Sequence, residues 1–278
     1  MSTSSEFGLG DYSAIKTALS GVEASPQIRE FLYYSHVKAF IVDFLRRGGA
    51  LPMSDPTFHS SSIPDPNKCA LLYILLRATE ARFVVEVGSE AGIRTIYLAL
   101  AITQNVVKYS AFRHVGYSQS MHGRVVAAEA DSSLAARASD LWTAAGEEVK
   151  GMIQPKVGDF RETLSKNIPT LVDFVLLDFY AIHATCDTPT TLVLDLMRPH
   201  LKTGAMVVID NVVGFDSAAG FLPRYQELLA YLGDPASGFR STMNPYFGGM
   251  LVAVYMGQPA PSGSSKTVAD TAEVPTSP

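Results

Sequence analysis

The stretch Phe83-Val84-Val85-Glu86-Val87-Gly88-Ser89-Glu90-Ala91-Gly92-Ile93-Arg94-Thr95-Ile96-Tyr97-Leu98 changes its periodicity half-way along. It begins as a continuous apolar run, Phe83 to Val87, which suits a strand buried on both faces of a parallel sheet. It ends with Ile93, Ile96, Tyr97 and Leu100 at helical spacing. Between the halves, Gly88 lets a ligand approach the backbone closely, and Gly92 lets the helix pack against its strand. Glu86 closes the hydrophobic strand, where a carboxylate without a partner is costly. It stands where the dinucleotide-binding G-x-G-x-x-G turn has its first glycine, so the turn suits a nucleoside-type ligand that needs no pyrophosphate cradle. The plainer alternative is an ordinary βα turn.

The composition allows a real core. Of the 278 residues, 47% are hydrophobic and 18% charged, enough for one large α/β domain or two small ones. The formal charge of -5 argues against nucleic acid as a partner, since phosphate binding needs a basic face. Cys69 and Cys186 are too few and too far apart for a disulfide framework or a zinc site. The first residues do not pair a basic region with an apolar core, and no apolar run reaches membrane-spanning length. The expectation is a cytoplasmic protein without a membrane partner.

Outward from the central stretch, strands and helices alternate. Residues 1–24 read as a flexible tail, and a broad-faced helix over 28–45 follows Pro26 and stops at Gly48-Gly49. With the Pro-rich loop up to residue 66 it reads as a lid or dimer element, and a homodimer is expected. A helix over 67–79 leads into the Phe83 strand. Strands are expected at 125–128, 152–157, 172–177 and 205–209, with helices at 132–145, 160–166, 189–199 and 221–232. Two final strands, 238–243 and 250–255, flank a turn too short for a parallel crossover and so run antiparallel. The prediction is a Rossmann-like, doubly wound α/β sheet, mostly parallel with a final antiparallel strand, preceded by N-terminal helices. Residues 25–256 form one domain, and the Pro-, Ser-, Gly- and Thr-rich 257–278 read as a disordered tail.

Ligands of open α/β sheets bind beyond the carboxyl ends of the parallel strands. That rule places the Asn105–Gly123 insertion, with its aromatics and histidines, at the opposite edge in a structural or subunit-contact role. On the working edge, Glu129 can accept both ribose hydroxyls of an adenosine, with Ala130 beside it. Asp159 is a candidate for the adenine amino group and Phe160 for flanking the ring, although Gly-Asp is also a plain turn and helix cap. Asp178 ends one strand and Asp210-Asn211 the next. Two carboxylates and an amide oxygen form a hard oxygen set suited to Mg²⁺, which lowers the pKa of a coordinated hydroxyl and orients it. Capping of the following loop is the plainer role for Asp210 and Asn211.

Together these features resemble the class I S-adenosylmethionine (SAM)-dependent methyltransferases, and among them the metal-dependent O-methyltransferases of catechol and caffeoyl-CoA. The likeness runs from about residue 60 to 256. It rests on the helix before the first strand, E-x-G-x-x-x-G, the strand-end acid, the Asp178 strand and Asp210-Asn211. The ending Gly-Phe-Arg-Ser-Thr-Met-Asn-Pro-Tyr-Phe-Gly-Gly-Met-Leu-Val-Ala-Val-Tyr is similar to O-methyltransferases of microbial secondary metabolism. The resemblance implies that Glu86, Gly88, Ser89, Gly92, Glu129 and Asp178 serve SAM, and that Asp178, Asp210 and Asn211 serve the metal.

Two positions depart from that pattern. The family's lysine shortly after the first metal aspartate is missing from Phe179-Tyr-Ala-Ile-His183, leaving His183 as candidate base beside the catalytic Asp178. Tyr180 could instead position a substrate oxygen. Arg94 replaces the small hydroxyl residue that meets the SAM carboxylate, and either Arg94 or Thr95 could take over that contact. Tyr180, Phe215, Tyr246 and Phe247 are the expected substrate pocket. The activity implied is methyl transfer from SAM to a hydroxyl of a small aromatic or polyketide-like molecule. The alternatives are a metal-independent N-, C- or O-methyltransferase, or a SAM-binding protein with a non-methylating reaction.

Overall fold

The computed structural model describes residues 66–111, 122–164, 168, 171–179, 181–182, 189–212, 221–244 and 249–257. Labelled in chain order over these residues, the elements are α1 (Pro66–Ala78), β1 (Phe83–Val87), α2 (Ile93–Ala111), β2 (Arg124–Glu129), α3 (Ser132–Ala145), α4 (Glu147–Lys150) and β3 (Ile153–Val157). They continue with α5 (Phe160–Thr163), β4 (Val172–Asp178), α6 (Thr190–Met197), β5 (Leu201–Asp210), α7 (Phe221–Gly233), β6 (Phe239–Asn244) and β7 (Met250–Tyr255). The expected 28–45 helix and both tails lie outside the described residues.

The seven strands form one sheet in the order β3-β2-β1-β4-β5-β7-β6. The first five run parallel, and β7 lies antiparallel between β5 and β6. The apolar run of β1 is buried along most of its length because helices cover both faces of the sheet. One core gathers Leu72 and Leu76 of α1, Ile96, Leu98 and Ile102 of α2, and Leu141 and Trp142 of α3. The other packs Val193, Leu194 and Met197 of α6 and Leu228 and Leu232 of α7 against Val85, Val175 and Val207. Each such aliphatic side chain contributes roughly 1.5–3 kcal/mol by leaving water.

Boundaries moved where capping or tertiary contacts outweigh pattern. Helix α2 runs on to Ala111, so Asn105 at the head of the expected insertion is helical. Its buried amide donates to Leu76 O (3.0 Å) and Ala81 O (2.6 Å), tying α2 to the end of α1. Residues 112–121 lie outside the described residues. Helix α3 begins as read, because Asp131 accepts from the Ser133 and Leu134 amides. The register sets Val87 beside Ala128 and Leu177, and Asp178 beside Asp210. Four parallel strands thus deliver their carboxyl-end acids to one edge.

Candidate functional site

The turn after β1 is held by its glycines. Gly88 has φ +81°, and a Cβ there would lie 2.7 Å from the Ala181 Cβ. Its amide and that of Ser89 both donate to Ala128 O, at 2.9 and 3.2 Å, which fastens the turn to β2. Gly92 has φ +78°, and its added Cβ would meet Trp142 Nε1 at 2.5 Å. The same indole nitrogen donates to Gly92 O at 2.9 Å, a partner that the local motif does not reveal.

Beside this turn is an open cleft lined by Val87, Gly88, Ala128, Glu129, Ala130, Gly158, Phe160, Ala181 and Ile182. Gly88, Glu129, Ala130 and Phe160, all read from the sequence as cofactor contacts, share this wall. Glu129 accepts from the Glu90 amide (2.7 Å) and the Asp131 amide (3.0 Å). Burial pushes its carboxyl above the usual range, against the pull of those amides. Asp159 is not part of the lining. It caps α5 through the Arg161 amide (2.8 Å) and pairs with the Arg161 guanidinium, and that pairing lowers its pKa.

Glu86 is fully buried and accepts from Thr95 Oγ1 at 2.6 Å. Among the described residues, its Oε1 has no hydrogen-bond partner, and neither has the buried hydroxyl of Ser89. Burial raises the Glu86 pKa to about 7, against Arg94 and the Thr95 bond. Burial and the nearby Asp178 push Glu90 to about 8. Thr95, a candidate for the SAM carboxylate, thus spends its hydroxyl on Glu86. The other candidate, Arg94, is equally engaged: it pairs with Asp178 (2.5 Å), Glu90 (3.5 Å), Asp210 (3.6 Å) and Glu86 (3.9 Å) and donates to Gly88 O (2.9 Å). Burial works against its charge, but these acids outweigh burial and hold the guanidinium protonated.

Asp178, Asp210 and Asn211 do come together, though among the described residues all of their side-chain oxygens but Asp210 Oδ2 accept a hydrogen bond. Asp178 Oδ2 accepts from Arg94 and, at 2.8 Å, from Asn211 Nδ2. Its Oδ1 accepts from the Ala181 amide at 2.8 Å. Lys68, carried by α1, donates to Asp210 Oδ1 at 2.5 Å and to Asn211 Oδ1 at 3.2 Å. Asn211 takes φ +56°, a left-handed conformation that asparagine tolerates better than most residues. Among the described residues, no group of three or more His, Cys, Asp or Glu is arranged to hold a metal ion. With Lys68 and Arg94 in place the expected ligand set does not fit a divalent cation, because an ammonium and a guanidinium already face its carboxylates. Lys68 escaped the sequence reading because it lies 142 residues from Asp210, at the start of a helix whose pattern signals only packing. Tyr180, His183, Phe215, Tyr246 and Phe247 lie outside the described residues.

Residues 85–212 match the Methyltransferase domain family. That span runs from β1 to the residue after Asn211 and contains the cleft and the central acids, but not Lys68. No curated protein matches the chain in sequence. Among solved structures, the cofactor-bound Rv0187 from MTB aligns with a TM-score of 0.56 at 20% identity, covering 90% of this chain and 99% of that one. The O-methyltransferase TomG from Streptomyces achromogenes, in complex with SAM, aligns at 0.55 and 20% identity over 77% and 95%. The O-methyltransferase from Bacillus cereus, in complex with SAH, the demethylated product of SAM, aligns at 0.53 and 18% identity over 89% and 100%. The fold is therefore the class I methyltransferase fold, with its mostly parallel sheet and antiparallel β7. No described helix is long and apolar enough to cross a membrane.

Proposed function

We propose that this protein transfers the methyl group of SAM to a hydroxyl of a small aromatic or polyketide-like metabolite. The observation that carries the reading is the cleft where Gly88, Glu129, Ala130 and Phe160 meet at the carboxyl edge, inside the span that matches a methyltransferase domain. Glu129 would take the ribose hydroxyls and Phe160 would flank the adenine. In the reaction, the acceptor oxygen forms a bond to the methyl carbon as the carbon–sulfur bond breaks. The electron pair of that bond returns to sulfur, giving the neutral thioether, and the hydroxyl proton is released. Holding the two reactants in line supplies most of the acceleration. His183 is the proposed base, and Tyr180, Phe215, Tyr246 and Phe247 the proposed acceptor contacts.

The divalent cation expected at Asp178, Asp210 and Asn211 would have to displace two ion-paired cations. Transfer is therefore proposed to proceed without it. Homodimerisation through the 28–45 helix and a cytoplasmic place in secondary metabolism complete the proposal and rest on the sequence alone. Calorimetric titration of SAM and SAH tests the core of the reading: both should bind, and failure of both would end it. Turnover that survives EDTA, with a product heavier by one CH₂ unit, supports metal-independent methyl transfer, whereas turnover abolished by EDTA restores the metal.

A further inference from the structure

The head of Lys68 is an unusual group to bury. The residue is 4% exposed, and its amino group has two acceptors among the described residues, Asp210 Oδ1 and Asn211 Oδ1. An ammonium carries three N–H donors, and these two oxygens take two of them. Stability is a weak reason to keep such a pair, because apolar side chains of similar volume often serve as well as a buried ion pair. Its position is more informative. Asp210 lies beside Asp178 in the sheet register, and Asp178 binds Ala181, which lines the cleft with Gly88. Lys68 therefore stands one strand beyond the cofactor cleft, on the side of β4 and β5. A compact, strongly hydrated point charge held there favours an anionic oxygen.

We propose that Lys68 is an acceptor-binding residue. Its ammonium, anchored by Asp210 and Asn211, donates a hydrogen bond to the acceptor oxygen and stabilises the negative charge that develops there as the hydroxyl proton leaves for the base proposed above. It thereby occupies the position that the resemblance gives to a divalent cation. The assignment rests on the methyltransferase reading above. It also explains why a lysine missing after Asp178 leaves the site with a cation: the charge arrives from α1 instead.

The test uses the full chain loaded with SAH and 4-nitrophenol as the probe, whose visible absorbance reports ionisation of its single hydroxyl. Saturable binding of SAH by calorimetry comes first, and its absence overturns the methyltransferase reading rather than the lysine assignment alone. With SAH bound, the wild type should shift the probe towards its phenolate below the probe's own pKa. Lys68→Gln should bind SAH as the wild type does and weaken the phenolate by about tenfold or more, the scale of a lost hydrogen bond to a charged group. Lys68→Arg, which keeps the charge where Lys68→Gln fails to fold, should retain SAH binding and recover part of the shift. A shift equal in Lys68→Gln and wild type overturns the proposal. So does stoichiometric binding of Mn²⁺ by the wild type, read by electron paramagnetic resonance, if the probe's shift depends on it.

Discussion

The two halves of the working edge use the same residue type in opposite ways. Beside β1 and β2, Glu86 and Glu129 accept hydrogen bonds from a threonine hydroxyl and backbone amides, and Arg94 comes no nearer to Glu86 than 3.9 Å. Beside β4 and β5, Asp178 and Asp210 meet the guanidinium of Arg94 and the ammonium of Lys68. Neutral donors leave a carboxylate with charge to offer a ligand, whereas a bound cation uses that charge up. The first half opens on the cleft and keeps two buried oxygens, Glu86 Oε1 and Ser89 Oγ, without a hydrogen-bond partner among the described residues. The second half has its acids paired by its own cations. The acids at a strand end therefore do not announce their role; the donors facing them do.

Removing the cation is the hardest blow to this contrast. Arg94→Met leaves Asp178, Glu90, Asp210 and Glu86 facing one another in a buried site, and should cost about 3–5 kcal/mol in urea unfolding. A loss below about 1 kcal/mol, the scale of an exposed pair, would mean that Arg94 does not neutralise them. Gly88→Ala forces a side chain into φ +81° and against Ala181, for about 1–3 kcal/mol in thermal unfolding. Because Gly88 lines the cleft, SAH binding should fall with it. Glu129→Gln should spare the fold and weaken SAH by about tenfold in calorimetry, since the ribose loses a charged acceptor. An unchanged affinity would move the nucleoside elsewhere.

The last effect is in pH. The folded-state pKa of Glu86, about 7, lies above its ordinary 4.5, so folding favours the protonated form. The stability that this supplies is present below the ordinary value and is lost as pH rises through about 7, with Glu90 adding the same trend towards about 8. Scanning calorimetry of the ligand-free protein should show the melting temperature falling across that window. Glu86→Gln should flatten the fall, and a slope unchanged by the substitution would show that Glu86 is not its source.

The fold was largely readable from the chain. The apolar runs of β1, β2 and β4 were legible because they are buried on both faces, and the short 244–249 connection already required β6 and β7 to be antiparallel. The edge of β5 was less so. Leu201 to Gly204 carry a lysine, a threonine and a glycine, and of these only Leu201 pairs with β4, at Val172, before the register shifts. The meeting of Gly88 and Glu129 at one cleft was legible too, because both sit at strand ends that topology alone brings together. Asp159 shows the limit: strand-end position held, but a neighbouring arginine took the carboxylate.

By itself, the sequence determined the alternation of elements, the carboxyl edge as the place for a ligand, and the acids delivered there. These follow from periodicity and connection length, which are local properties of the chain. The tertiary structure alone decided which charges face those acids. Lys68 reaches Asp210 across 142 residues and Arg94 reaches Asp178 across 84, so each ion pair depends on how α1 and α2 dock on the sheet. Side-chain electrostatics is set by distance in space and by burial, and neither has a signature in the spacing of residues along the chain.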